Sequence, residues 1–390
     1  MKWATSLLVS CFLLAVLAGC GGGASSTSTS SNSGGSNGGA SPLPSGTELL
    51  YVGDNVGVIH GFGVDPNSGN LTALKTVPVT NQAAAADVEL AADAGSMVLY
   101  ATSAGLGGAN VASFVVDQKT GNLTAAGPGQ TLPVSPRDPT PVGNTLFVIP
   151  DGSANAAALY TFNIDVNGVL SLLPNQPVTL PGVPHHLAVD PSGSWLFVTY
   201  DGNSGGEIAS LSIKNGAIGS LVGSFATGGD SPQGIQVTPD GKFVVVVNGG
   251  TSNVSVFSLD PSTGELAEVS GSPFACAAGS SAMAIDPSGK FVFVAVGLNG
   301  DGNTLFGYTI DSAGSLTPVP GTPTALGGIA EGIGVAVDPS AKFVYTTIVG
   351  RQVAGYMIDQ STGALAAVPG SPYSVGQVTR GVVVMPHAIQ

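Results

Sequence analysis

The chain has 390 residues, with 10 Lys or Arg against 24 Asp or Glu, which gives a formal net charge of −14. Ten cations are too few for the basic surface that nucleic-acid binding requires. The hydrophobic content of 43% excludes an acidic disordered chain, and 58 Gly with 27 Pro argue against a helical bundle. The composition therefore predicts a soluble, turn-rich, all-β protein.

Residues 1–19 are organised like a bacterial export signal. Lys2 precedes an apolar run over residues 7–17, which is too short to span a bilayer. The segment Leu17-Ala18-Gly19-Cys20 resembles the lipobox of bacterial lipoproteins, which implies that Cys20 is diacylated and becomes the mature N-terminus. The alternative is an ordinary secretory signal that happens to end near a cysteine. The lipobox interpretation predicts a membrane anchor through lipid on Cys20.

Residues 20–46 are predicted to be the lipidated Cys and a tether. The segment is rich in Ser and Gly and carries no charge, which is typical of a flexible linker. The chain is therefore predicted to be lipid-anchored in a bacterial cell envelope, with its folded domain in the periplasm or at the cell surface. Gly21, rather than Asp, follows Cys20, which favours the outer membrane.

The remainder, residues 47–390, is a repeat of two phrases. The first phrase is an apolar strand, a tight turn and a second apolar strand, as in the run Leu187-Ala-Val-Asp-Pro-Ser-Gly-Ser-Trp-Leu-Phe-Val198. The second is Asp-x-x-x-Gly-x-Leu or a close variant, and its seven copies end at Leu71, Leu123, Leu170, Ile218, Leu266, Leu316 and Leu365. Pro, Asp and Gly favour tight turns, and the alternating β-branched residues between them favour strands.

These phrases predict an all-β fold, a seven-bladed β-propeller with four antiparallel strands, A to D, in each blade. The first repeat begins with a strand-B pattern at residues 49–53, and the residues 380–385 form a single unpaired strand at the other end. The simplest arrangement is that this C-terminal strand completes the first blade as its strand A, which closes the ring and removes open sheet edges.

The few cations fall at informative places. All three arginines map to the face where the D–A and B–C loops emerge: Arg137 and Arg380 at the starts of strands A, and Arg351 in the last B–C loop. The same face receives two histidines and several carboxylates, namely His185, His186, Asp201 and Glu331, with Asp54, Asp138, Asp151 and Asp301. Arginine suits a carboxylate or phosphate, His or a carboxylate can act as general base, and carboxylates can bind Ca²⁺. The alternative is that Arg–Asp pairs tie neighbouring blades together.

The repeats are similar to those of the seven-bladed lactonase family. The segments Thr238-Pro-Asp-Gly-Lys-Phe-Val-Val-Val246 and Asp286-Pro-Ser-Gly-Lys-Phe-Val-Phe-Val294 resemble 6-phosphogluconolactonase-type and carboxymuconate-cyclase-type propellers, and residues 245–257 resemble YVTN repeats. Pro184-His185 matches the Pro-His that opens one blade in this family. The next blade opens with Ser231-Pro-Gln-Gly234 instead of the family's Arg-His, and Asn248-Gly-Gly250 lacks the family's acid.

The sequence is compatible with two functions. The resemblance implies a lactonase-like hydrolase of a small anionic sugar lactone, without a metal or another cofactor. His185 would activate water, and the substrate would contact Arg137, Arg351, Arg380, His186, Asp201 and Glu331. The missing family residues, with the tether, favour the alternative, a non-catalytic envelope propeller that binds a protein or glycan partner.

Overall fold

The computed structural model describes residues 42–74, 79–80, 85–93, 95, 97–105, 109–152, 156–277, 279–297, 303–326, 334–348 and 351–386. Within these ranges the chain forms 34 β-strands in seven antiparallel sheets and no helix. None of the described residues belongs to a helix long and apolar enough to cross a membrane. The predicted signal peptide, Cys20 and most of the tether lie outside the described residues.

Each sheet is one blade, and the predicted seven-bladed propeller is confirmed. The strands A, in the order of blades 1 to 7, are β34 (Thr379–Met385), β5 (Ala85–Asp93), β10 (Pro136–Val142), β15 (Pro184–Val189), β19 (Pro232–Val237), β24 (Ser280–Ile285) and β29 (Val335–Val337). The strands B are β1 (Glu48–Asp54), β6 (Val98–Gly105), β11 (Thr145–Pro150), β16 (Trp195–Gly202), β20 (Phe243–Asn248), β25 (Phe291–Val296) and β30 (Phe343–Ile348). Each strand A contacts the strands A of both neighbouring blades, so these strands form a ring around a central channel.

The outer half of each blade consists of strands C and D. The strands C are β2 (Val58–Val64), β7 (Ala109–Val116), β12 (Ala158–Ile164), β17 (Gly205–Lys214), β21 (Asn253–Leu259), β26 (Thr304–Ile310) and β31 (Gln352–Ile358). The strands D are β3 (Leu71–Ala73) with β4 (Val79–Thr80), β8 (Leu123–Ala125) with β9 (Gln130–Leu132), β13 (Leu170–Leu172) with β14 (Val178–Thr179), β18 (Ala217–Ala226), β22 (Leu266–Glu268) with β23 (Phe274–Ala275), β27 (Leu316–Pro318) with β28 (Thr324–Ala325), and β32 (Leu365–Ala367) with β33 (Tyr373–Ser374).

Strand D is therefore one strand only in blade 4, whereas the repeat predicted a single strand D in every blade. In the other six blades it is split into two short pieces that pair with the same strand C. The sequence between the two pieces always contains proline, for example Pro273 and Pro372, and proline lacks the N–H that a sheet ladder needs. Residues 217–226 contain no proline, and β18 runs unbroken.

The core lies between neighbouring blades. Strands B are buried along their whole length in blades 3, 5, 6 and 7 because both faces of each sheet pack against another sheet. Tyrosines extend this packing with polar contacts between blades. Tyr51 in blade 1 donates a hydrogen bond to Gly121 O of blade 2 at 2.8 Å, and Tyr345 in blade 7 donates to Gly69 O of blade 1 at 2.7 Å. Burial of these phenols raises their pKa values.

The repeated Asp residues of the C–D turns have the structural role that their spacing predicts. Asp65 accepts hydrogen bonds from the backbone N–H groups of Asn67 at 3.0 Å and Ser68 at 2.8 Å. Asp359 accepts from the hydroxyl of Ser361 and from the backbone N–H groups of Thr362 and Ser361, and these bonds lower the pKa of Asp359 to about 2. One oxygen of each carboxylate holds its own turn together, so these residues serve the scaffold.

The C-terminal strand closes the ring as predicted. β34 pairs antiparallel with β1 in the register Leu50↔Val384 and Tyr51↔Val383. Because β1 is almost fully buried, an absent β34 would expose a row of apolar side chains and unpaired backbone groups. The first and last strands of the propeller are thus held in one sheet.

An acidic pair lies at the seam between blades 7 and 1. Glu48 begins β1, and Asp338, which is fully buried, begins the turn between β29 and β30. Burial, together with the negative charge of Asp338, raises the pKa of Glu48 from 4.5 to about 8. Between these two values the native chain holds a proton that the unfolded chain has released, so this group makes the protein less stable as the pH rises through that window.

Replacing Glu48 by Gln removes this penalty. We expect Glu48→Gln to be more stable than wild type at pH 9, by about 1–2 kcal/mol after allowing for solvent screening of a half-buried group. The gain should shrink steadily as the pH falls. It should vanish near pH 4, where the protonated side chain of Glu48 is as neutral as the glutamine that replaces it. Denaturant unfolding at pH 4, 6 and 9 measures this trend, and a gain that is equal at all three values would show that Glu48 does not titrate against Asp338.

Candidate active site

Side chains at the channel mouth are placed by irregularities at the start of the strands A. The register against strand B shifts between Ala86 and Val88, Arg137 and Thr140, Pro184 and His186, Pro232 and Gly234, and Ser280 and Ala282. Blade 1 has the same shift between Val52 and Asp54. Such β-bulges turn a side chain away from the regular alternation. The repeat therefore delivers polar side chains from successive blades to one end of the channel.

Neighbouring strands A are linked by side chains that accept backbone hydrogen bonds. The inner edge of each strand A faces the channel and has no further strand to pair with, so its N–H groups need other partners. Glu89 Oε2 accepts from Asp138 N at 2.6 Å, and Asp138 Oδ2 accepts from Leu187 N at 2.7 Å. Gln236 Oε1 accepts in the same way from Ile285 N at 2.8 Å. These bonds fix two carboxylates, Glu89 and Asp138, at the channel wall.

Arg137 and His186 meet between these carboxylates. Arg137 Nη2 lies 3.0 Å from His186 Nε2, and Arg137 Nε lies 3.9 Å from Glu89 Oε1. The other imidazole nitrogen, His186 Nδ1, lies 3.3 Å from Asp138 Oδ2. Burial alone would raise the pKa of the Asp138 carboxyl, but the contact with His186 and the Leu187 N–H outweigh it, so the pKa lies below its ordinary value. Asp138 is thus a carboxylate beside His186.

These side chains line a cavity of about 320 Å³ at the channel mouth. Every strand A contributes to its wall, and a second cavity of about 440 Å³ continues along the channel, with Leu187 and Val382 shared between the two. Gln233 and Gln236 of blade 5 and Ser281 of blade 6 add polar groups to the same wall. The mouth cavity has the size and the mixed lining of a small-molecule site.

His185 and Asp201 form a separate pair on blade 4. His185 Nε2 lies 3.0 Å from Asp201 Oδ2, and the two side chains are 24% and 59% exposed. Neither residue lines the mouth cavity, although His185 directly precedes His186, which does. The structure thus gives the two histidines different carboxylate partners, Asp201 for His185 and Asp138 for His186.

The three arginines, which share one face in the sequence prediction, have three different settings. Arg137 lines the cavity, as described. Arg380 Nε donates to Asp87 Oδ1 at 2.6 Å and so joins blade 1 to blade 2. This is the kind of Arg–Asp pair between neighbouring blades that the sequence offered as the alternative to a binding role. Arg351 is exposed and donates to Gly376 O at 3.2 Å. Glu331 lies outside the described residues.

Glu89 and Asp138 are the site residues that sequence reasoning did not select. Glu89 precedes Arg137 by 48 residues, one repeat length, so the repeat spacing carried a signal for it. Asp138 was placed on the correct face, but nothing in the sequence shows that its backbone and carboxylate bridge two blades. Among the described residues, no group of three or more His, Cys, Asp or Glu side chains is arranged to hold a metal ion.

Comparison with known proteins gives one family match. The model of the family described as Lactonase, 7-bladed beta-propeller matches residues 204–276, which run from blade 4 into blade 5. The resemblance to the seven-bladed lactonases is confirmed. No curated protein matches the sequence significantly.

Solved structures share the fold of this lactonase-like propeller across nearly their whole length. A candidate 6-phosphogluconolactonase from Bacteroides fragilis superposes with a TM-score of 0.71 at 20% identity, covering 87% of this chain and 98% of its own. A similar protein from Bacteroides uniformis gives 0.72 at 18% identity, with 87% and 99% covered. The periplasmic gluconolactonase PpgL of Pseudomonas aeruginosa gives 0.69 at 18% identity, with 88% and 100% covered. At such identities these likenesses establish the fold alone.

Proposed function

We propose that this lactonase-like propeller hydrolyses a small sugar lactone in its mouth cavity. The observation that carries the proposal is the cluster of Arg137, His186 and Asp138 on the wall of a small-molecule cavity. The family match and the gluconolactonase named among the similar structures support this reaction class. Fold analogy by itself would not, because one fold serves many functions.

The cluster contains the groups that lactone hydrolysis needs. Water attacks the lactone carbonyl carbon while a neutral imidazole takes its proton, and the guanidinium of Arg137 stabilises the developing oxyanion. The tetrahedral intermediate then breaks the ring C–O bond, the imidazolium returns the proton to the ring oxygen, and a hydroxy acid is released. The geometry favours His186 as the base because it lines the cavity with Arg137. His185, held by Asp201, is the alternative base.

The charges of the cavity bear on the substrate. Of the three arginines, only Arg137 lines the wall, and the carboxylates of Glu89 and Asp138 lie beside it. The polar groups that blades 5 and 6 add to the wall are uncharged, and amides and hydroxyls suit sugar hydroxyls. The geometry therefore favours an uncharged sugar lactone over the anionic lactone predicted from the sequence.

We also propose that Cys20 carries lipid and holds the propeller in the cell envelope, with the outer membrane favoured. One experiment tests the location and the reaction together. The full chain and its Cys20→Ser variant are expressed in a bacterium, fractionated and assayed against matched lactones with and without a phosphate. We expect hydrolysis in the membrane fraction for wild type and in the soluble fraction for Cys20→Ser. The unphosphorylated lactone is expected to react faster.

The second candidate function is a non-catalytic envelope propeller that binds a protein or a glycan. The observation that favours it is the pair of departures from the lactonase pattern in blade 5, where Ser231-Pro-Gln-Gly234 replaces the family's Arg-His and Asn248-Gly-Gly250 lacks the family's acid. Asn248 donates to Asn253 Oδ1 at 2.7 Å and Ser255 Oγ at 2.8 Å, so it serves the blade interior. Purified protein that hydrolyses no lactone but is retained by a glycan array or by envelope proteins would support this function.

A further inference from the structure

The contact between Arg137 and His186 determines which imidazole nitrogen carries the proton. A guanidinium has five N–H donors and no acceptor, so Arg137 Nη2 donates across the 3.0 Å to His186 Nε2. An imidazole that accepts at Nε2 is neutral and carries its hydrogen on Nδ1. That nitrogen lies 3.3 Å from Asp138 Oδ2, which accepts. His186 is thus the neutral Nδ1–H tautomer.

Asp138 is fixed in a position where its carboxylate accepts a hydrogen bond from the Nδ1–H tautomer of His186. Its backbone lies in the left-handed region at φ +54°, its N–H is bound by Glu89 Oε2, and its carboxylate is bound by Leu187 N. The carboxylate therefore cannot follow the imidazole if the ring turns. His186 is held from the other side, since its backbone N–H donates to Thr199 Oγ1 at 3.1 Å. The pair is thus held by contacts from four strands, β5, β10, β15 and β16.

The same contact covers the lone pair that a general base needs. We propose that Arg137 caps His186 in the free protein, which means that its hydrogen bond occupies the Nε2 lone pair. A carbonyl or carboxylate oxygen of the ligand removes this cap by accepting the Arg137 hydrogen bond in place of Nε2. Asp138 is the positioning residue that keeps the Nδ1–H tautomer. The proposal deepens the function proposed above and rests on it. It makes the base available only when a ligand with a carbonyl or carboxylate oxygen occupies the cavity.

Arg137 is free to make this exchange. Its Nε is buried and makes no hydrogen bond among the described residues, and Glu89 lies 3.9 Å away, which keeps the guanidinium charge at the cavity after release. The strand on the other side of His186, β19, carries no titratable side chain, and Asp201 on β16 is paired with His185. The charged groups that face the imidazole are therefore Arg137 and Asp138.

The tautomer is read directly by NMR of the full chain labelled with ¹⁵N-histidine. The chain has only four histidines, so the signals can be assigned by substituting each one in turn. We expect His186 of wild type as the Nδ1–H form. The Arg137→Met variant should lose this preference, and the exposed control Arg351→Met should keep it. A wild-type His186 in the Nε2–H form would overturn the cap without the need for any variant.

The cap is tested by acylation of the imidazole with diethyl pyrocarbonate, followed by peptide mapping. Loss of one hydrogen bond to a charged donor should speed the reaction of His186 at least about tenfold in Arg137→Met, but not in Arg351→Met. A lactone or its hydroxy acid should speed it in wild type. Equal rates in wild type and Arg137→Met would overturn the proposal.

Neither readout needs turnover. A capped Nδ1–H imidazole in a protein that hydrolyses no lactone would remove the proposed function and keep the cap. Hydrolysis by a protein whose His186 is uncapped would remove the cap and keep the function. The Asp138→Asn variant adds a check on positioning, because it should lower kcat and change its pH profile while leaving KM nearly unchanged.

Discussion

The His186→Ala variant is expected to lose about 10²–10⁴-fold in kcat for lactone hydrolysis, the usual contribution of a positioned general base. The imidazole lines the mouth cavity, is oriented by Asp138 at 3.3 Å and lies 3.0 Å from the guanidinium that would hold the oxyanion. Alanine removes the base but leaves Arg137 and the cavity wall, so KM should change much less than kcat. Steady-state kinetics on the purified protein measure both parameters.

The comparison with His185→Ala distinguishes the two histidines. His185 is tied to Asp201 outside the cavity lining, so its removal should cost less than about tenfold if His186 is the base. The two variants remove the same atoms from neighbouring positions of one strand, and unfolding curves will show whether both keep the fold. A large loss in His185→Ala with little loss in His186→Ala would transfer the catalytic role to His185 and Asp201.

The Met385→Ala variant is expected to lower the free energy of unfolding by about 2–5 kcal/mol, as for other buried Met-to-Ala changes. Met385 is fully buried at the end of the closing strand, opposite Leu49, in the cluster shared by blades 1 and 2. Truncation leaves a cavity at the place where the first and last strands of the propeller meet. Denaturant unfolding monitored by tryptophan fluorescence and circular dichroism measures the loss.

The chain provides a matched control in Met357, which lies on β31 and is 42% exposed. Met357→Ala makes the same chemical change on the surface and should cost no more than about 0.5 kcal/mol. Equal costs for the two variants would show that the closing strand adds nothing beyond an average surface contact. A Met385→Ala protein that unfolds in two separate transitions would show that the ring opens at blade 1 before the rest unfolds.

The fold could be predicted closely because its information is local. Each turn carries its own Pro, Asp and Gly, and each blade repeats the same pattern. A strand or turn that is ambiguous in one repeat can therefore be assigned from its clearer copy in another. The closing strand followed from counting strands at the two ends. The split of strand D was missed, although the prolines that cause it, such as Pro273, are visible in the sequence.

The site could be predicted only in part. The start of strand A was identified as the place of the polar residues, and Arg137 and His186 do line the cavity there. The sequence could not show that Arg380 forms an ion pair with Asp87, or that Arg351 is exposed to solvent. The ion pair joins residues that are 293 positions apart in the chain, and it forms only because closure of the ring brings blades 1 and 2 together.

The sequence by itself determined the number of blades, the closure by the last strand and the face on which the polar groups gather, because turn chemistry and side-chain alternation act between near neighbours in the chain. Only the tertiary structure decided which charges meet. The bulges at the start of the strands A turn Arg137 toward His186, and hydrogen bonds between blades fix Glu89 and Asp138 around them. Among the cations that the structure describes, only Arg137 lies at the wall of the mouth cavity, whereas packing between blades pairs Arg380 with Asp87.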